Sequence, residues 1–235
     1  MKNKAIIILS GGLDSTTLLY DLVQQRGPEN VVALSFNYGS KHNVIELPLA
    51  VKSCRKLKVE HVLVDLREIF SHFKSNLLQG GEDIPTGHYE QANMKLTIVP
   101  YRNGILLSCA IGLAESIGAD TVYYGAHSGD HFIYEDTRPE FIKAFSEAAV
   151  LGTMNKIRIE APYSNMNKAS ILKRGGELGV DYSLTHTCYS PNEKGESCGR
   201  CGSCQERLES FEENKIEDPL VYYNPRVILK NNDKQ

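Results

Sequence analysis

Several absences narrow what this 235-residue chain can be. No uninterrupted apolar run approaches the ~18 residues that a membrane span requires, so no membrane partner is expected. Met1 to Leu9 holds only the short apolar run Ala5 to Leu9, too brief for the core of a secretory leader, and the expected setting is the cytoplasm. Positive charge is not in excess. With 26 Lys and Arg against 29 Asp and Glu, the net charge is -3 and the pI about 6.2, so no global positive field advertises nucleic acid and none is expected as a partner. There is no internal repeat, no low-complexity tract, and no room or N-terminal cysteine for a glutaminase. At 41% hydrophobic and 23% charged residues, an ordinary globular protein with one substantial core is left.

Directly after the apolar run the chain reads Ser10-Gly11-Gly12-Leu13-Asp14-Ser15. A Walker loop would need Gly-Lys-Ser/Thr here, and a dinucleotide fingerprint would need G-x-G-x-x-G; neither is present. Two glycines at a strand-to-helix turn let backbone N–H groups point into one concavity, and the following helix adds its positive end. Ser10 and Ser15 add hydroxyl donors. The hexamer therefore reads as an anion cradle for phosphate, the plainer alternative being a turn in which Asp14 or Ser15 only caps the helix.

Of the six cysteines, four fall late, as Cys188 and then Cys198-Gly-Arg-Cys201-Gly-Ser-Cys204. Two-residue gaps between thiolates, with glycines to allow the tight turn, suit one tetrahedral zinc ion with Cys188 as fourth ligand. Such a closed set of ligands makes the metal structural. An iron-sulfur cluster uses the same donors and stays open, whereas disulfides do not suit a chain read as having no secretory leader. Cys54 and Cys109 lie in segments of helical period and are expected in the core.

Strand and helix signals alternate, which predicts an α/β fold, a Rossmann-like open parallel sheet with helices on both faces and a small C-terminal zinc-binding knuckle. Buried strands are expected at Ala5 to Leu9, Val31 to Phe36, Val62 to Leu66 and Thr121 to Tyr124, with a weaker one at Lys156 to Ala161. Helical spacing runs through Leu18 to Val23, Leu47 to Cys54, Leu106 to Ile117 and Phe141 to Ala149. The boundaries read as a nucleotide-binding domain over 1–184, a cysteine segment with its following helix over 185–214, and an extension over 215–235. Gln79 to Lys95, polar and glycine-rich, reads as a long loop or mobile cover, and Lys230 to Gln235 as a frayed tail.

In open parallel sheets ligands sit beyond the carboxyl ends of the strands. Candidates there are Tyr38 and His42 after the second strand, His127 and Asp130 after the fourth, and Arg102 and Asn103 opening the helix between them. Arg102 has the donor fork for phosphate or carboxylate, unless a surface salt bridge occupies it; Asp130 could accept from a purine edge or help hold magnesium. His42 and His127 read equally as scaffold or participant. Lys168 begins a helix where a cation does not help the dipole, which points to a phosphate or acyl-adenylate partner, the alternative being a solvated surface lysine.

The Ser10 to Ser15 loop resembles the SGG-x-DS loop of N-type ATP pyrophosphatases. With Tyr38-Gly39, His42, Glu46, Val99-Pro100, Arg102-Asn103, Gly125, Asp130, Arg138-Pro139-Glu140-Phe141, Lys168, Thr187-Cys188-Tyr189, the three further cysteines, Arg207 and Phe211, nearly the whole chain resembles the 7-cyano-7-deazaguanine synthases of queuosine biosynthesis. The resemblance implies ATP-dependent conversion of 7-carboxy-7-deazaguanine and ammonia to the 7-cyano product through adenylylated intermediates, with AMP and pyrophosphate released. It implies ATP, magnesium and zinc, a small-molecule acid as substrate, and a homodimer. By the same resemblance Asp14, Ser15, Arg102 and Lys168 are catalytic, and Tyr38, His42, Asn103, Asp130 and Arg138 bind substrate. Leu9, Ser10, Gly11, Gly12, Leu13, Asp14, Ser15, Thr16, Thr17, Leu18 and Leu19 bind the nucleotide, and Cys188, Cys198, Cys201 and Cys204 the metal. The chain departs from the family pattern at Ser40-Lys41 and at Glu135 and Thr137, both near the expected pocket, so an enzyme that stops at the amide, or that joins the acid to a macromolecular amine, is the alternative. A tRNA-modifying relative is a more distant one.

Overall fold

The computed structural model describes residues 4–87 and 92–226. Five strands, β1 (Ala5–Ile8), β2 (Val31–Asn37), β3 (Glu60–Asp65), β4 (Thr121–Tyr123) and β5 (Arg158–Glu160), form one parallel sheet in the order β3-β2-β1-β4-β5. The helices between and after them are α1 (Leu13–Arg26), α2 (Asn43–Leu57), the single turn α3 (Arg67–Phe70), α4 (Arg102–Ile117), α5 (Pro139–Gly152), α6 (Lys168–Glu177) and α7 (Gly202–Glu213).

The central strand β1 explains the layering. Ala5, Ile7 and Leu9 point to one face and Ile6 and Ile8 to the other, so an all-apolar run is needed where both faces are covered. The first face packs on α1, α2 and α6 through Leu18, Leu22, Ala50, Cys54, Ile171 and Leu172. The second packs on α4 and α5 through Leu106, Leu107, Ala110, Ala114 and Ala149. The expected strands are all present; β3, the half-exposed edge strand, starts at Glu60, earlier than its apolar run.

Two expectations change. The stretch Asn93–Ile117 has the length and the mean hydropathy, 1.3, of a membrane crossing by composition alone. It is not one continuous α-helix: a 3-10 turn over Ala92–Thr97 precedes α4, and Tyr101 between them adopts a left-handed φ of +50°. The apolar face of α4 covers the sheet, which accounts for its hydropathy. Second, the described parts of 79–95 are fastened and do not cover the cavity. Gly87 N–H donates to the Arg200 carbonyl (2.9 Å), the Lys41 ammonium to the Gly81 carbonyl (2.9 Å), Ile84 packs against the cysteine cluster and Met94 is fully buried. Residues 88–91 of that segment, and the tail 230–235, lie outside the described residues.

The topology reverses between β1 and β4, whose chains leave in opposite directions along the sheet. That reversal opens a crevice at their carboxyl ends.

Candidate active site

The crevice holds a cavity of about 190 Å³. Its floor is the turn from β1 into α1. Gly11 there takes a φ of +96°, and a Cβ on it would lie 2.3 Å from the Glu46 carbonyl oxygen, so only glycine lets this turn pass against α2. Gly12 is extended and serves as N-cap of α1. Its N–H donates to Ser10 Oγ (3.1 Å), and the Ser10 and Ser15 hydroxyls lie 3.0 Å apart. These hydroxyls brace the loop while lining the cavity. The N–H groups of the first turn of α1 have no acceptor within the helix, so its positive end opens on the cavity. Gly125, after β4, approaches the same turn less closely: a Cβ there would sit 3.2 Å from Ser15 N.

One end of the cavity is ionic. The buried Lys168 ammonium lies 2.5 Å from Glu206 Oε2 and 3.4 Å from Asp14 Oδ2. Burial opposes its charge, but Asp14, Glu206 and Asp130 outweigh that and hold the ammonium well above the usual lysine range. Position at the start of α6, odd for a cation, is explained by these carboxylates. His127 is buried among them, Nε2 3.7 Å from Asp14 Oδ2 and 3.6 Å from Asp130 Oδ2. Its Nδ1 accepts the Gly129 N–H (3.1 Å), which places the proton of the neutral ring on Nε2, toward the acids. Burial opposes protonation of this ring, yet Asp130, Glu206 and Asp14 raise its pKa on balance. Asp130 is itself shifted up, by burial first, despite His127 and Lys168.

The other end is aromatic, with the Arg102 guanidinium as its charge. Arg102 donates to the Tyr38 hydroxyl (3.3 Å) and lies over the Tyr38 ring, and that hydroxyl is 3.3 Å from His42 Nε2. Burial, with Arg102 and His186, pushes His42 down to about 3; burial lifts Glu46, 3.7 Å from His42, to about 8 against the pull of Arg102. Asn103 is fixed by Asp136, which accepts its backbone N–H (2.8 Å) and its side-chain amide (3.1 Å) and so caps α4 from another segment. Arg102 is half-buried in this network, bonded to the Tyr38 hydroxyl and the Asn103 amide oxygen, so the surface salt bridge is set aside.

Beside the cavity, Cys188, Cys198, Cys201 and Cys204 are buried with all four sulfurs within 4.8 Å of one another, and none is in a disulfide. The Cys198 and Cys204 sulfurs are 3.8 Å apart, the edge that four ~2.3 Å bonds to one tetrahedral ion require. Backbone N–H groups of Ser190, Cys198, Arg200 and Cys201 point at the Cys188 and Cys198 sulfurs, at 3.1 to 3.3 Å, which suits thiolates. The donor set fits a bound metal.

Residues 4–215 match the family described as Queuosine biosynthesis protein QueC. The chain belongs to the QueC family. It is 50% identical to a 7-cyano-7-deazaguanine synthase of Hahella chejuensis over 94% of this chain and 93% of the relative, and 48% identical to one of Pseudoalteromonas translucida over 94% and 100%. Among solved structures, the U34-tRNA thiolase NcsA from Methanococcus maripaludis with its 4Fe-4S cluster superimposes with a TM-score of 0.51 at 18% identity, over 91% of this chain and 67% of that one. The NMN synthetase from Francisella tularensis gives 0.52 at 14%, over 92% and 79%. These two likenesses show a shared fold.

In this QueC chain the cavity brings together Ser10, Gly12, Asp14, Ser15, Tyr38, His42, Arg102, Asn103, Asp130 and Lys168, as the sequence suggests. Arg138 is placed elsewhere: at the N-cap of α5 it pairs with Glu135 and donates to the His131 carbonyl. Leu9, Leu13, Leu18 and Leu19 are core residues, and Thr17 bonds the Leu13 carbonyl and the Tyr182 hydroxyl. Gly11 and Thr16 do not line the cavity either. Of the two departures, Thr137 lines the cavity, whereas Ser40 is buried and pairs with Asn43. Glu46, Thr187, Tyr189 and Ser203 line the site without having been assigned to it from the sequence, and Glu206 reaches it from behind through Lys168. The one local signal for Glu206 was its place just after Cys204; nothing in the period of α7 says that it lies on α6 beside Lys168.

Proposed function

We propose that the chain is an ATP-dependent carbon-nitrogen ligase that converts 7-carboxy-7-deazaguanine and ammonia to 7-cyano-7-deazaguanine, releasing AMP and pyrophosphate. The observation that carries this reading is one cavity with the α1 N-terminus and its loop at one side and half-buried Arg102 at the other, in a chain of this family. A carboxylate resists ammonia until its oxygen becomes a good leaving group. Arg102 suits the acid, while the first-turn N–H groups, Ser10, Ser15 and Lys168 suit the triphosphate and the departing pyrophosphate. Transfer of AMP to the acid oxygen gives a mixed anhydride, ammonia displaces AMP to give the amide, and adenylylation of the amide oxygen followed by loss of AMP and a proton leaves the nitrile. Fixing the reactants side by side supplies much of the rate, and no side chain needs to act as nucleophile.

Magnesium, when bound, neutralises phosphate charge; Asp14 and Asp130 offer the hard oxygens it prefers, and Asp14 Oδ1 is buried without a hydrogen-bond partner among the described residues. The tight sulfur cluster favours one zinc ion over an iron-sulfur cube, which spreads its cysteines over several irons. Such zinc is structural, and reduced thiols suit the cytoplasm. The small cavity supports a small-molecule acid as substrate.

Purified protein given the acid, Mg-ATP and ammonium is expected to form the nitrile, read by mass spectrometry. Thr137 at the cavity wall keeps one second reading alive, an enzyme that stops at the amide. Amide as sole product would establish it, and absence of AMP with every acid offered would end both.

A further inference from the structure

We propose that Glu206 is a positioning residue of the active site, through which the helix that carries the cysteine cluster sets the place of Lys168 and His127. Its carboxylate meets two elements, α6 and the segment after β4. Oε2 holds the Lys168 ammonium at 2.5 Å, and Oε1 lies 3.9 Å from His127 Nδ1. At Gly129, a Cβ would fall 2.3 Å from Glu206 Oε1 and 2.9 Å from the His127 ring, so the segment after β4 leaves a gap that this carboxylate fills. Gly129 N–H in turn fixes the His127 ring.

The anchor is short. Cys201 caps α7, Cys204 is fully buried in its first turn, and Gln205 ties back to the Gly199 carbonyl (2.6 Å), so Glu206 extends from a backbone pinned immediately before it. Fastening α7 to the body is already done by the fully buried Arg207, which donates to the Thr185 hydroxyl and the Tyr182 carbonyl. Glu206 turns instead to Lys168 and His127, which line the cavity, so its charge acts on the site through them. Removing one member of a buried pair leaves the other uncompensated, so a lysine without Glu206 leaves its place or changes its partners.

The arrangement itself is tested by amine-reactive labelling, read peptide by peptide, of Glu206→Gln, Glu206→Ala and Gly129→Ala proteins with metal content measured alongside. Lys168 is expected to label at least about tenfold faster than in the wild type, with exposed Lys173 on the same helix unchanged. Gly129→Ala acts from outside the cysteine segment, so it reports even where a change at 206 disturbs the metal. The kinetic arm rests on the proposed ligase activity: kcat for AMP formation should fall about tenfold or more with a smaller change in KM for ATP, and Glu206→Asp should restore part of it. Wild-type labelling of Lys168 in the folded variants overturns the proposal, as does faster labelling with kcat untouched. A wild-type protein that forms no AMP while Lys168 responds as described would end the ligase reading and leave the positioning role standing.

Discussion

Glu46 and His42 sit one helical turn apart at the start of α2, and burial drives both toward their neutral forms. The two shifts act on stability in opposite directions of pH. Glu46 goes from 4.5 to about 8 on folding, so between those values the folded chain keeps a proton that the unfolded chain has released, and stability falls as pH rises. His42 goes from 6.5 to about 3, so below 6.5 the unfolded chain takes up a proton that the folded one refuses, and stability falls as pH drops. Glu46→Gln keeps the shape and removes the alkaline loss. It is expected to stabilise the protein at pH 8 by on the order of 1–3 kcal/mol and to match wild type near pH 4.5. Denaturant unfolding at the two pH values checks this, and an equal difference at both would show that Glu46 is not held protonated.

At the level of elements, the sheet was legible because strands covered on both faces need mostly apolar runs: β1 is wholly apolar, β2 is interrupted by buried Ser35 before it ends at Asn37, and β4 opens on buried Thr121. Edge strand β3 exposes alternate residues, so only its apolar half announced itself. The floor of the site was legible because Gly11 must be glycine where α2 presses on the turn. What stayed hidden depends on contacts between elements far apart in sequence: Asp136 capping α4, Glu206 meeting Lys168, and a glycine-rich stretch that composition offers as a cover but cross-chain hydrogen bonds strap down. Cysteine spacing picked out the four residues that come together as a donor set fit for a metal, without naming what the cluster supports. Since α7 is capped by Cys201 and lies on α6, loss of that ligand should loosen the helix as well as the ion. Cys201→Ala is expected to lose bound metal and about 3 kcal/mol or more of stability together, because affinity at a closed site is folding free energy. Elemental analysis alongside denaturation decides it: full stability without metal would reduce the cluster to four packed thiols.

Across the whole molecule, the family match ends at residue 215, yet the chain beyond it returns to the body. Asp218 takes the fully buried Arg207 in two bonds, at 2.7 and 3.0 Å, and Tyr222 donates to the same carboxylate. Ser197 exchanges backbone bonds with Val221 and Tyr223, and the Asn224 amide donates to the Cys198 carbonyl. Burial raises the Asp218 pKa, but Arg207 outweighs it and holds the carboxyl below its ordinary value, so the pair persists until strongly acid pH. The extension therefore packs on the cysteine segment and supplies the counter-charge of Arg207, which itself reaches back to the Tyr182 carbonyl. Ending the chain after Ile216 leaves the Arg207 guanidinium buried with the Thr185 hydroxyl and the Tyr182 carbonyl but no counter-charge. The expected cost is about 3–5 kcal/mol, and adding Arg207→Met to the shortened chain should recover part of it, since a buried charge without a partner is worse than an apolar side chain of similar length. Denaturant midpoints of the full, shortened and shortened-and-substituted chains test the point. If the substitution deepened the loss, the bonds to Thr185 and Tyr182, rather than the lost carboxylate, would be what Arg207 is there to make.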